Sequence, residues 1–399
     1  MSKKKTLVAV DAGTLYTPEH KFSPGRLLIE EATIAAVGSP GTVNVPAGAE
    51  QIDASRLLVM PGFIDPHIHG CGGVDVMKGT YESLNAISRI LVRHGTTSFL
   101  PTTVSSPADV LSRAVEQLGT AISQRYDGAE PLGIHMEGPF ISVTRRGTHQ
   151  ESNILRPNVD LLANCIQASG NSVRLLTVAP ELDGFLPLLM LAQRFGLTVA
   201  MGHSNATYDQ AKEAAEHGVC YAVHTFNAMR PLSHRDPGII GEVLADDRIF
   251  AEIIADGVHV DEPVVRIFAR AKGKNRVLLV TDAISATDMP DGCYSLGGSM
   301  VNVVDGICRD PEGRLAGSTL TQEVALRNFC QWTDWPLEDV LFSLTFNPAK
   351  ALKLERKGVL EPGADADIVI LDQDFRVMTT MVGGRVVFSR IERATSRTT

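Results

Sequence analysis

Between residues 61 and 350 the chain alternates short apolar runs with segments of helical spacing. The runs are Phe63–His69, Thr97–Pro101, Leu132–His135, Val173–Val178, Leu197–Gly202, Val219–Val223, Ile249–Ile254 and Val277–Thr281. Continuous apolar runs of this length predict strands buried on both faces. Ser106-Pro107 predicts an N-cap and first-turn proline for a helix running to Arg125. Asp261 and Pro263 predict the same for Val264–Lys272, which Gly273 ends. Eight strand-and-helix repeats over such a length predict an α/β fold, a TIM-like (β/α)8 barrel, typically about 250 residues long. A doubly wound open sheet is the alternative, because alternation alone does not establish closure. The Gly-rich stretch Ala283–Gly317 predicts a hairpin excursion beside the last strand.

The two ends of the chain read differently. Thr6–Val10, Arg26–Glu30, Thr33–Val37 and Arg56–Met60 are strand-like and separated by turn residues such as Ser39-Pro40-Gly41. The tail repeats the pattern at Ala366–Leu371 and at Val377–Val387 around Gly383-Gly384. Neither piece is long enough to enclose a core alone. They are therefore expected to pair as one small β-sandwich built from both termini. The division is 1–60 for its first part, 61–350 for the barrel and 351–399 for its second part.

The composition narrows the class. Of 399 residues 44% are hydrophobic and 21% charged, the balance of a globular protein. A net charge of −9 argues against a broad nucleic-acid surface and leaves room for a local anion pocket. Six cysteines lie scattered without a Cys-x-x-Cys pair, against a disulfide framework and for a reducing compartment. No apolar stretch approaches the roughly 20 residues that span a bilayer. Lys3-Lys4-Lys5 leads into only a short apolar run before Asp11, which is not a secretory signal. The expectation is a cytoplasmic protein with neither membrane nor nucleic-acid partner.

Chemistry enters at the ends of the apolar runs. His67 and His69 share one face of a strand, and neutral imidazoles so placed suit a divalent metal. By itself a His-x-His pair is more often structural. Here, however, Glu137, His203, His224 and Asp282 also stand at or just past the ends of separate runs. In a barrel those ends form the catalytic face, so the series points to a metal-dependent active site.

The segments His135-Met136-Glu137-Gly138-Pro139-Phe140, Arg146-Gly147-Thr148-His149, Gly202-His203-Ser204-Asn205-Ala206, His224-Thr225-Phe226-Asn227-Ala228-Met229, Asp256-Gly257-Val258-His259 and Thr281-Asp282-Ala283 follow one another in this order. With Pro362-Gly363-Ala364-Asp365-Ala366-Asp367 they make nearly the whole chain resemble the amidohydrolase superfamily, and its amino-sugar-phosphate deacetylases most. The resemblance implies removal of an acetyl group from the nitrogen of N-acetylglucosamine 6-phosphate. The galacto epimer and a non-catalytic sugar-phosphate sensor are the alternatives. It implies Glu137, His203 and His224 as principal metal ligands, with Glu137 in the place of the carboxylated lysine of some relatives. His67 and His69 allow a second ion, and zinc or iron(II) suits these donors. A metal-activated water would attack, with Asp282 as base and then acid. His149, in its Gly-Thr-His turn with Thr148, would hydrogen-bond the acetyl carbonyl. The resemblance further places His259, Asn227, Ala228 and the backbone of Leu315-Ala316-Gly317 on the sugar or phosphate. It also sends Arg235 into the neighbouring active site of a homodimer, where a planar guanidinium suits phosphate. His135 is left as a supporting residue near Glu137. His20, His94, His217 and His234 carry no separate signal.

Overall fold

The computed structural model describes residues 6–391; Lys3-Lys4-Lys5 lies outside them. Eight parallel strands follow one another in space as in sequence: β1 (Phe63–Ile68), β2 (Thr96–Thr103), β3 (Ile134–Glu137), β4 (Val173–Val178), β5 (Thr198–Met201), β6 (Tyr221–Ala222), β7 (Phe250–Ile253) and β8 (Val277–Leu279). A doubly wound sheet would reverse this order at a switch point. Instead the ring closes beyond the last strand: the Asp282 N–H donates to the His67 carbonyl at 2.9 Å, and Ile68 bridges Ala283 in parallel. A helix follows each strand, the eighth (Gln322–Trp332) after the excursion.

The period of two explains the two layers of core. Leu100, Leu175, Ala200, Tyr221, Phe250 and Leu278 point inward and fill the barrel. Their neighbours Leu176, Val199, Met201, Ala222, Ala251, Val277 and Leu279 point outward under the helices. The barrel is therefore plugged, and its polar residues sit above an apolar floor. The helix Glu262–Lys272 forms as predicted. Asp261 accepts from the Glu262 N–H, Gly273 ends the helix, and Val265, Phe268, Ala269 and Lys272 are its buried face. The expectation for Ser106 fails. The helix spans Ala108–Ile122, so it stops short of Arg125, and Pro107 takes the cap position without a side-chain bond. The Ser106 hydroxyl donates instead to the Val104 carbonyl.

The termini join in one mixed sheet of eight strands. In it Glu50–Pro61 lies between Leu7–Tyr16, parallel to it, and the antiparallel Ile368–Leu371. Alternation again assigns the faces: Met60, Val369 and Leu371 pack onto the barrel, while Val59, Ile368 and Ile370 join Val8, Val10 and Ile29 in a separate cluster. The excursion is a three-stranded antiparallel meander, Gly292–Leu296, Ser299–Val304 and Ile307–Arg309, with a small core of its own. Among the described residues no helix is long and apolar enough to cross a membrane.

Candidate active site

Five histidines gather around Glu137 at the C-terminal face of the barrel. The Nε2 atoms of His67, His203 and His224 lie 3.2, 3.2 and 2.9 Å from Glu137 Oε1. Those of His69 and His149 lie 3.3 and 3.5 Å from Oε2. Asp282 Oδ1 stands 3.2 Å from His69 Nε2 and 3.7 Å from His67 Nε2. All seven side chains are buried.

The backbone turns sharply where the strands deliver these groups. His203 (φ 46°), His224 (φ 25°) and Asp282 (φ 50°) adopt left-handed conformations just after β5, β6 and β8. Such conformations cost on the order of 1–3 kcal/mol each and collect at functional sites. The Gly-Thr-His turn also needs its glycine. Gly147 has φ +56°, and a Cβ there would stand 3.2 Å from His203 Cε1.

Hydrogen bonds decide which imidazole nitrogen is free. His69 Nδ1 and His203 Nδ1 donate to the carbonyls of Thr102 (3.1 Å) and Arg145 (3.0 Å), and His67 Nδ1 to Glu252 (2.9 Å). Each bond leaves an Nε2 lone pair aimed into the cluster. His149 is reversed: its Nδ1 accepts the Ser105 N–H at 3.1 Å, so its Nε2 carries the proton.

These lone pairs fit a divalent cation. His67 Nε2 is buried without a hydrogen bond, and His224 Nε2 lies only 3.1 Å from His203 Nε2. Two lone pairs cannot face each other so closely unless a proton or a metal ion intervenes. Two sets of atoms with free lone pairs each lie within 4.8 Å: His67, Glu137 and His224; and His67, His69 and Asp282. The field agrees. Burial opposes ionisation of Glu137, but the surrounding imidazoles, His67 foremost, hold its carboxyl well below the usual range. Burial likewise disfavours the Asp282 carboxylate, yet His67 and His69 bring it down to about 2. Burial lowers His69, whereas Asp282 and Glu137 more than offset this and lift it to about 9. The carboxylates thus demand positive charge, which a divalent ion supplies while leaving the imidazoles neutral.

A cavity opens over the cluster. His69, Glu137, His203, His224 and Asp282 form its base, and Thr148, His149, Asn227, Ala228, His259, Leu315 and Gly317 line it as expected. The excursion adds Leu296, Gly297, Ser299, Met300 and Val301, which the sequence did not single out. His259 bonds Asp256 through Nδ1 at 2.6 Å while still facing the cavity. Ala316 does not line it. It is buried in the meander's core, and its N–H is spent on the Cys308 carbonyl. Arg235 does not reach the cavity of its own chain; it is exposed in the turn between Ser233 and Asp236. His135 packs edge-on against His67 with ring centres 4.6 Å apart and bonds Thr177 Oγ1 at 2.8 Å. His94 pairs with Glu323 at 2.8 Å, away from this site. Glu252 was missed, although its charge inside the apolar run Ile249–Ile254 was a signal.

Comparisons with known proteins agree with this geometry. Residues 58–387 match the amidohydrolase family. The N-acetylglucosamine-6-phosphate deacetylase of Lysinibacillus sphaericus is 40% identical, over 85% of this chain and 88% of its own. The N-acetylgalactosamine-6-phosphate deacetylase of Escherichia coli O157:H7 is 33% identical, over 94% and 98%. The Mycobacterium smegmatis N-acetyl-D-glucosamine-6-phosphate deacetylase, solved with N-acetyl-D-glucosamine-6-phosphate, superposes with a TM-score of 0.89 at 34% identity, covering 97% of this chain and 100% of that one. The chain belongs to the amidohydrolase family.

Proposed function

We propose that this chain hydrolyses the N-acetyl group of N-acetylglucosamine 6-phosphate, releasing glucosamine 6-phosphate and acetate. The observation that carries the reading is the convergence of four imidazole Nε2 atoms, from three strand ends, on Glu137, beside Asp282. The substrate class is taken from the relatives' names. Glu137, His203 and His224 would hold a divalent ion, and His67 and His69 with Asp282 a second one; zinc and iron(II) both suit the donors. A cation bound there lowers the pKa of water to around 7 and polarises the amide carbonyl.

The chain's own groups do the rest. Asp282 accepts the proton of the attacking water and returns it to the departing nitrogen. His149 donates from Nε2 to the carbonyl oxygen as charge develops on it. Thr148, Asn227, His259 and the backbone at Leu315 and Gly317 hold the sugar. The barrel, 61–350, is the catalytic unit, and 1–60 with 351–399 form its support. Six free thiols fit a cytoplasmic location.

The phosphate needs a cation, and among the described residues the cavity lining contains neither lysine nor arginine. That favours a homodimer in which Arg235, exposed beside Leu232 (50% exposed), completes the neighbouring site. The galacto epimer is the second reading, favoured by the 33% identity to the E. coli O157:H7 enzyme. The test is acetate release from both epimers, with and without the phosphate, before and after chelation. Metal-dependent release from the gluco phosphate ahead of its epimer supports the reading. No release by folded, metal-loaded protein refutes it and returns attention to a sensor.

A further inference from the structure

Glu252 is fully buried in β7 and does not line the cavity. Alternation sends its neighbours Ala251 and Ile253 outward and Glu252 into the barrel. There it accepts three hydrogen bonds. His67 Nδ1 and the His224 N–H donate to Oε2, both at 2.9 Å, and the Tyr221 hydroxyl donates to Oε1 at 2.7 Å. None of these donors belongs to a lysine or arginine, so no side-chain cation of that kind balances the buried carboxylate through them. Burial, and then the charge of Glu252, push the Tyr221 phenol well above its ordinary value, so it remains a donor.

The arrangement is unequal among the histidines. His69 and His203 donate to backbone carbonyls, but His67 donates to a carboxylate. A carboxylate behind an imidazole fixes its tautomer, orients its ring and makes the opposite nitrogen more basic. The opposite nitrogen is His67 Nε2, which is buried, makes no hydrogen bond and groups with donor atoms of His69 and Asp282. His135 packs edge-on against the same ring and bonds Thr177 through Nε2. It fills space behind His67 and does not compete for its Nδ1 proton.

We infer that Glu252 is a positioning residue which, braced by Tyr221, tunes His67 for a second divalent cation at His67, His69 and Asp282. The inference rests on the metal-dependent reading above. It is tested by titrating metal-stripped wild type, E252Q and Y221F with Zn(II) against a chromogenic chelator, with circular-dichroism melting of each. Wild type is expected to bind two ions per chain. E252Q should weaken one of them by about 10- to 100-fold and leave the other unchanged. Y221F should weaken the same ion less, and it decides the matter if E252Q does not fold. Two ions bound as tightly by the variants as by wild type overturn the inference. So does a wild type that binds one ion, which leaves the hydrolase reading standing. A wild type that binds none brings down both.

Discussion

Glu137 and Asp282 are both buried carboxylates beside histidines, yet their surroundings suit them to different work. Both oxygens of Glu137 are occupied by imidazole neighbours, as befits a group shared between ligand sets. Asp282 meets His67 and His69 through Oδ1 and borders the cavity. Those histidines keep it ionised against the effect of burial, so it is able to accept a proton. Asp282→Asn keeps the shape but cannot take the proton. Its kcat is expected to fall by about 10²- to 10⁴-fold with the fold and the ion at Glu137, His203 and His224 retained. Steady-state acetate release with metal analysis of the same sample checks this, and near-normal turnover would remove Asp282 from the acid–base role.

At the scale of an element, the helix Glu262–Lys272 shows how a local pattern acquires an electrostatic cost. Its spacing puts Lys272 on the buried face, where Nζ donates to the carbonyls of Val243 (2.7 Å) and Asp246 (2.8 Å). Burial pulls the ammonium down from its ordinary 10.5 to about 8, with nearby aspartates opposing. Between these two values the unfolded chain binds the extra proton, so this group makes stability rise with pH across about 8 to 10.5. Wild type should therefore gain on Lys272→Met over that window, by at most about 3 kcal/mol. Denaturant midpoints of both proteins at the two ends of the window measure the gain; parallel curves would mean that Lys272 is not held down. Meanwhile the helix expected after Ser106 begins one residue late, with Pro107 in the cap position, so the Ser106 hydroxyl caps nothing and donates to the Val104 carbonyl.

For the whole molecule the question is how a cavity lined, among the described residues, without lysine or arginine takes a phosphate. If Arg235 is lent across a dimer, each site draws Asp282 from one subunit and Arg235 from the other. Arg235→Ala and Asp282→Asn homodimers are then both defective, the first mainly in KM for phosphorylated sugar. Mixing them under subunit exchange should restore activity, because one site of each mixed dimer combines intact Asp282 with intact Arg235. Activity at saturating and subsaturating substrate reads this directly. No recovery, with exchange verified by differently tagged subunits, would place the phosphate on groups within one chain.

Much of this protein is settled by the sequence alone, because period-two and helical spacing are local properties. The eight strand runs, the helix between Asp261 and Gly273, the excursion after Asp282 and the pairing of the two ends as one small β-domain were all legible there. So were the histidines and carboxylates at the strand ends, since polar groups closing apolar runs conflict with a merely structural role. Closure of the ring was not legible. It depends on the bond from the Asp282 N–H to the His67 carbonyl, between the two ends of the barrel sequence. Nor was the free nitrogen of each imidazole, because the Nδ1 partners of His67 and His69 arrive from other strands, Glu252 being 185 residues from His67. The backbone N–H of Ala316 turned on the same distinction. Residue type names a capability, but only packing in three dimensions decides which atoms are already occupied and which still face the cavity.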